Sequence, residues 1–117
     1  MPGRVTVDNL AALEDITLQV VQQSLPDVDI STVTAVAASA TVVTLVAANV
    51  SRKGLIIYND GSIPMYIKFG PAATTSSFTY KALGGDTFEM GQPIYTGIVT
   101  ALWDSASGSA RITQLEG

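Results

Sequence analysis

The side chains that could do chemistry are few, and they lack the partners that chemistry needs. The 117-residue chain contains no Cys and no His. That removes thiolate nucleophiles, thiolate metal sites and disulfides, together with the commonest general base and metal ligand. Serines are plentiful, but a serine nucleophile needs an adjacent base. Lys53, Lys68 and Lys81 are the amines available, and none stands in a recognisable Ser-Lys motif. Asp60, Asp86, Glu89 and Asp104 all fall at or near turns. Glycoside hydrolysis would need two such carboxylates facing each other across a cleft, whereas turn chemistry accounts for each one singly. Asp27-Val28-Asp29 resembles the start of a calcium loop but lacks the central Gly and terminal Glu, and reads as a linker. Gly84-Gly85 and Gly108 precede no helix, so they are not phosphate cradles. The expectation is a chain that is not an enzyme, with no catalytic residue, no metal and no cofactor.

The aromatic residues offer one alternative. Tyr58, Tyr66, Tyr80, Tyr95 and Trp103 could line a sugar-binding face if exposed near the rim loops 60–64, 71–77 and 104–109. Trp103 sits in an apolar strand and reads as core. Tyr58 and Tyr66 flank what reads as one hairpin and are expected to stack across it.

Charge narrows the partners. The net charge is −4, and the basic residues Arg4, Arg52, Lys53, Lys68, Lys81 and Arg111 are scattered. A nucleic-acid footprint needs a dense basic face, so none is expected. No apolar run approaches the roughly 18 residues of a membrane helix, and no secretory signal pattern opens the chain. Only 14% of residues are charged, few for the surface of a free monomer. Burial of that surface against other chains is expected.

These side chains must be positioned by a short helix and a run of strands. Residues 1–9 read as an arm. Residues 10–25 hold no Gly or Pro, carry Glu14 and Asp15 near the start, and end at Pro26. They read as one helix. Its apolar positions Leu10, Leu13, Ile16, Leu18, Val20, Val21 and Leu25 occupy more of the circumference than a lone surface helix needs. Two readings stand: the helix covers its own sheet, or it docks on symmetry mates or another protein. Residues 26–31 form a polar link, which divides the chain into 1–31, the segment expected to serve oligomerisation and docking, and 32–117, the expected β-domain.

Strands are expected at about 32–37 and 41–48, where Val and Thr are dense. The strongest strand signal lies in the run Ser51 to Gly61, where Leu55, Ile56, Ile57 and Tyr58 are continuous and apolar and the basic pair Arg52-Lys53 precedes them. Both of its sides are expected to face protein, and Asn59-Asp60-Gly61 is expected to end it in a turn. The pair Arg52-Lys53 reads as an exposed strand entry at the rim, available to a neighbouring subunit. Further strands are expected at 65–69, 78–83, 87–90, 98–104 and 110–115, with Gly84-Gly85-Asp86 as a tight hairpin turn. Leu55, Ile57, Ile67, Ile98 and Leu102 are the expected core. About eight short strands at spacings near ten residues predict a mainly β fold: an antiparallel β-sandwich, jelly-roll-like, preceded by the arm and helix.

Four blocks carry a family resemblance. They are Asn49 to Asp60, Met65 to Gly70, Tyr95 to Asp104, and Gly108 to Thr113. In that order they are similar to segments of small tailed-bacteriophage virion proteins, over about residues 32–116. The resemblance implies a structural component of a phage particle without enzyme activity, an accessory on the outside of the capsid or on the tail, of decoration, fibre or adaptor type. It implies a homotrimer whose partners are its own copies and other virion proteins, located in the virion. A carbohydrate- or receptor-binding module on a fibre, with a host-surface glycan as ligand, is the alternative.

Overall fold

The computed structural model describes residues 27–117. The expected arm and helix, with the docking positions Leu10, Leu13, Ile16, Leu18, Val20, Val21 and Leu25, lie outside the described residues.

Eight strands follow: β1 (Ile30–Ala37), β2 (Val43–Val46), β3 (Arg52–Asp60), β4 (Met65–Phe69), β5 (Tyr80–Ala82), β6 (Thr87–Glu89), β7 (Val99–Trp103) and β8 (Ser109–Glu116). They form two four-stranded antiparallel sheets, ordered β1-β8-β3-β6 and β2-β7-β4-β5. The result is a mainly β chain with two facing sheets, a β-sandwich. The pairing follows one rule: first with last, second with seventh, third with sixth, fourth with fifth. Lateral pairing of β3 with β8 and of β4 with β7 completes the sheets.

Strand alternation builds the core. Leu55, Ile57, Met65, Ile67, Val99, Ala101, Trp103, Ala110 and Ile112 are each at most 1% exposed. Burying an apolar side chain of the larger kind contributes about 1.5–3 kcal/mol.

Several expectations change. β3 is central, but only Leu55, Ile57 and Asn59 turn inward, while Ile56 is half-buried and Tyr58 lies exposed on the outer face. Of the expected core, Leu55, Ile57 and Ile67 are buried, but Ile98 and Leu102 are half-buried. Leu102 pairs with Tyr66 on the outside of its sheet. The strand also runs through Asn59 and Asp60 instead of turning there.

The connections differ most. Only β4 to β5 joins two strands of one sheet; every other described connection passes between sheets. Gly84-Gly85 therefore closes no hairpin, because β5 and β6 lie in different sheets. Gly85 takes a φ of 84°, and a Cβ on Gly84 would lie 2.6 Å from the Gly61 carbonyl oxygen. For the same reason Tyr58 and Tyr66 do not stack. They lie on the outer faces of opposite sheets, and Tyr66 packs edge-on against Phe78 at 5.2 Å.

Candidate functional site

Each end of the sandwich is pinned by one buried polar residue of β3. At one end the 38–42, 61–64, 83–86 and 104–108 loops meet. Asn59 is fully buried there. Its amide donates to the carbonyls of Ile63 at 2.8 Å and Ala82 at 3.0 Å, and its Oδ1 accepts from Trp103 Nε1 at 3.3 Å. At the other end Arg52 is 1% exposed. Its guanidinium donates to Gln114 Oε1 at 2.9 Å and to the carbonyls of Tyr95 at 2.7 Å, Gly97 at 2.9 Å and Ala47 at 2.7 Å. Burial pushes its pKa below the ordinary arginine value, opposed by Tyr95 and Glu116; a guanidinium nevertheless stays charged at neutral pH.

Arg52 is therefore not the exposed strand entry that the Arg52-Lys53 pair predicts. It is the tie that holds the 47–51 and 90–98 loops to β8, and only Lys53 is exposed. Five fixed donors in a fork suit that task; a lysine has only three donors on a single nitrogen and could not serve all four acceptors. Sequence reading missed this because a basic pair before a strand looks like a solvated entry. Alternation gives no signal for it: with Leu55, Ile57 and Asn59 inward, Arg52 has the outward parity, and the register shift between Arg52 and Gly54 turns it in.

The remaining chemical candidates stay apart. Asp60 pairs with Arg111 at 2.7 Å on an exposed face. Asp86 Oδ2 accepts the Leu83 N–H at 2.9 Å and closes its own turn. Glu89 and Asp104 are exposed. Lys68 Nζ does meet a serine, Ser77 Oγ, at 2.9 Å. That bond is exposed, whereas activation of a serine by lysine requires a desolvated, neutral amine. Among the described residues no group of three or more His, Cys, Asp or Glu is placed to hold a metal ion. No helix among them is long and apolar enough to cross a membrane.

The aromatic residues do not form an exposed platform either. Trp103 is core, as expected. Tyr95 stacks on Phe69 at 5.2 Å, Phe69 meets Phe88 at 5.8 Å, and Phe88 meets Tyr80 at 5.1 Å. This chain of rings runs from between the sheets toward β5 and β6, where Tyr80 is exposed. The three rim loops lie at different ends: 60–64 and 104–109 at the Asn59 end, and 71–77 at the other.

On the β1–β2 side the sandwich stays open. A cleft of about 240 Å³ is lined by Thr32 and Thr34 of β1, Leu45 and Val46 of β2, the Ala47–Asn49 segment and Gln114. Gln114 and Ala47 are held by Arg52. Apolar Leu45, Val46, Ala47 and Ala48 line it together with the hydroxyls of Thr32 and Thr34 and the amides of Asn49 and Gln114, without a titratable side chain. The cleft can accept and donate hydrogen bonds and make apolar contacts. Its sequence signal was slight: Thr32 and Thr34 share the inward parity of Val36, where an enclosed strand would carry apolar side chains. Compared with known protein families, curated proteins and solved structures, the chain matches none.

Proposed function

We propose that this chain is a non-enzymatic structural protein of a tailed-bacteriophage particle: an oligomeric accessory on the outside of the capsid or on the tail. The observation that carries the reading is the strand order β1-β8-β3-β6 facing β2-β7-β4-β5. That order supports reading the sandwich as a jelly roll, an antiparallel ribbon of eight strands folded over on itself and an architecture of viral capsid and lectin domains. Fold alone does not assign function, and two further features support the reading. The polar side chains that are buried serve as ties between loops, and the groups able to do chemistry are dispersed. The blocks that resemble virion proteins supply β3, β4, β7 and the start of β8, the central strands of both sheets.

In this reading the segment 1–31 docks the subunit on other virion proteins through Leu10, Leu13, Ile16, Leu18, Val20, Val21 and Leu25. The glycan-binding alternative is less well supported, because the loops 60–64, 71–77 and 104–109 contain no aromatic residue on which a sugar could stack.

The test is the position of the protein in purified particles. The chain should copurify with them, appear in repeated density on the capsid or tail, and leave when residues 1–25 are deleted. Particles that lack the protein altogether would sink the proposal. Continued decoration by the truncated chain would remove the docking role of that segment.

A further inference from the structure

Among the described residues the outer edge of β1 is unpaired, and it differs from the other three edges of the sandwich. Edge strands in native proteins are kept short, charged, bulged or covered, because an open row of N–H and C=O groups templates pairing with another chain. β5 and β6 are three residues each and carry Lys81 and Glu89. β2 has four residues, and its register shifts between Thr44 and Val46. β1 runs for eight residues, Ile30–Ala37, in unbroken register with β8 and with neither charge nor proline.

The geometry of that edge can be read from its ladder. Val36 pairs with Ala110 and Ala37 with Ser109, and Ala38 N–H then donates to the Gly108 carbonyl at 3.0 Å. Hydrogen-bonded and non-bonded residues alternate in an antiparallel pair. Even-numbered residues of β1 therefore bond to β8. Ser31, Val33, Ala35 and Ala37 aim their N–H and C=O groups at the open edge. Their side chains lie on the outer face of the sheet, where Val33 is 68% exposed.

We propose that this edge pairs with β1 of a second copy of the chain, antiparallel about a two-fold axis at Thr34. That register sets Val33 against the partner's Ala35 and Ser31 against the partner's Ala37. Every backbone group left open by β8 is then bonded, and a larger side chain faces a smaller one at each pair. The second copy is the occupant that the composition fits. A strand that meets itself about a two-fold must not place like charges near the axis, and β1 carries none. The contact does not depend on the virion reading. It does constrain any assembly: a ring of three has no two-fold axis, so the particle form in solution must contain an even number of chains.

The experiment uses the full-length protein, with native mass spectrometry and sedimentation across a range of concentrations, and residue-resolved amide exchange. The expected result is an even-numbered oligomer. The amides of Ser31, Val33, Ala35 and Ala37 should be protected when it is concentrated and exchange freely on dilution. Val33→Pro removes a donor that is unused within the subunit, and proline is tolerated at such edge positions. It should weaken association at least tenfold, while Thr87→Lys on the opposite edge leaves it unchanged. Amide exchange in the unaltered protein keeps the test valid even if the proline variant fails to fold. A monomer, a trimer, or an even-numbered oligomer with freely exchanging amides at those four residues would overturn the proposal. So would protection that survives dilution at monomeric mass, which would mean that the chain's own first residues cover the strand.

Discussion

Arg52 shows how burial turns a charged residue into a structural part. Its guanidinium meets three backbone carbonyls and one side-chain oxygen, and hydrogen bonds to a charged donor contribute about 1.5–3 kcal/mol each at most. Replacing it with Ala leaves those acceptors buried without a donor, and Arg52→Ala is expected to cost 3 kcal/mol or more, on the order of a broken buried network. Arg52→Lys should recover only part of that. Denaturant titration checks both, and an unchanged midpoint for either would return Arg52 to the role of solvated rim residue. Its lowered pKa gives no pH dependence near neutrality. The unfolded chain holds that proton more tightly than the folded one, so stability would rise with pH only in strong alkali, as pH approaches the unfolded value. With no His and no Cys, no side-chain type in the chain ordinarily titrates between about pH 6 and pH 8. Stability should therefore vary by less than about 1 kcal/mol over that range. Core truncation separates the inward from the outward positions. Ile57→Ala is expected to cost about 3–4 kcal/mol, and Leu102→Ala, half-buried on the outer face, about half as much.

At the scale of elements, the long loop between β4 and β5 is built to stay put. Thr74 organises it: its Oγ1 accepts from the Ser77 N–H at 2.8 Å, and its own N–H donates to the Ser77 carbonyl at 3.0 Å. Ala72 enters the loop at a φ of 61°, a left-handed conformation that costs a residue with a Cβ about 1–2 kcal/mol. Ala72→Gly should raise stability by up to about 1 kcal/mol after glycine's own entropic cost, read as a shift in thermal midpoint; a loss of stability would contradict the strain. The strands themselves were legible in the sequence, because alternation and β-branched density mark them locally. Met65, Ile67 and Phe69 do share one face, and Arg111 and Thr113 do oppose Ile112 and Gln114. The connections were not legible. A glycine turn looks the same whether it closes a hairpin or carries the chain across the sandwich, and at Gly84 the distinction depends on a backbone contact with Gly61 far away in sequence. Buried Asn59 was read as a turn residue for the same reason: the carbonyls it satisfies belong to Ile63 and to distant Ala82.

For the whole molecule, the sheets depend on the last strand. β8 lies between β1 and β3 and makes the pairings that hold both. Deleting residues 109–117 should therefore abolish the native fold entirely and leave no stable smaller sandwich, as read by loss of the near-ultraviolet signal of buried Trp103. A folded remainder would show that β3 and β6 hold the first sheet alone. The rule of pairing first with last has a kinetic side as well. Ile30 meets Glu116 across nearly the whole described chain. Folds dominated by such distant pairings form in about milliseconds to seconds, because the loop must close before its contacts can form. A ribosome making this protein releases β1 first and β8 last. Throughout synthesis the longest uncharged strand of the chain waits in solution with neither of its edges taken. Its β8 edge stays open until residues 109–116 have left the tunnel.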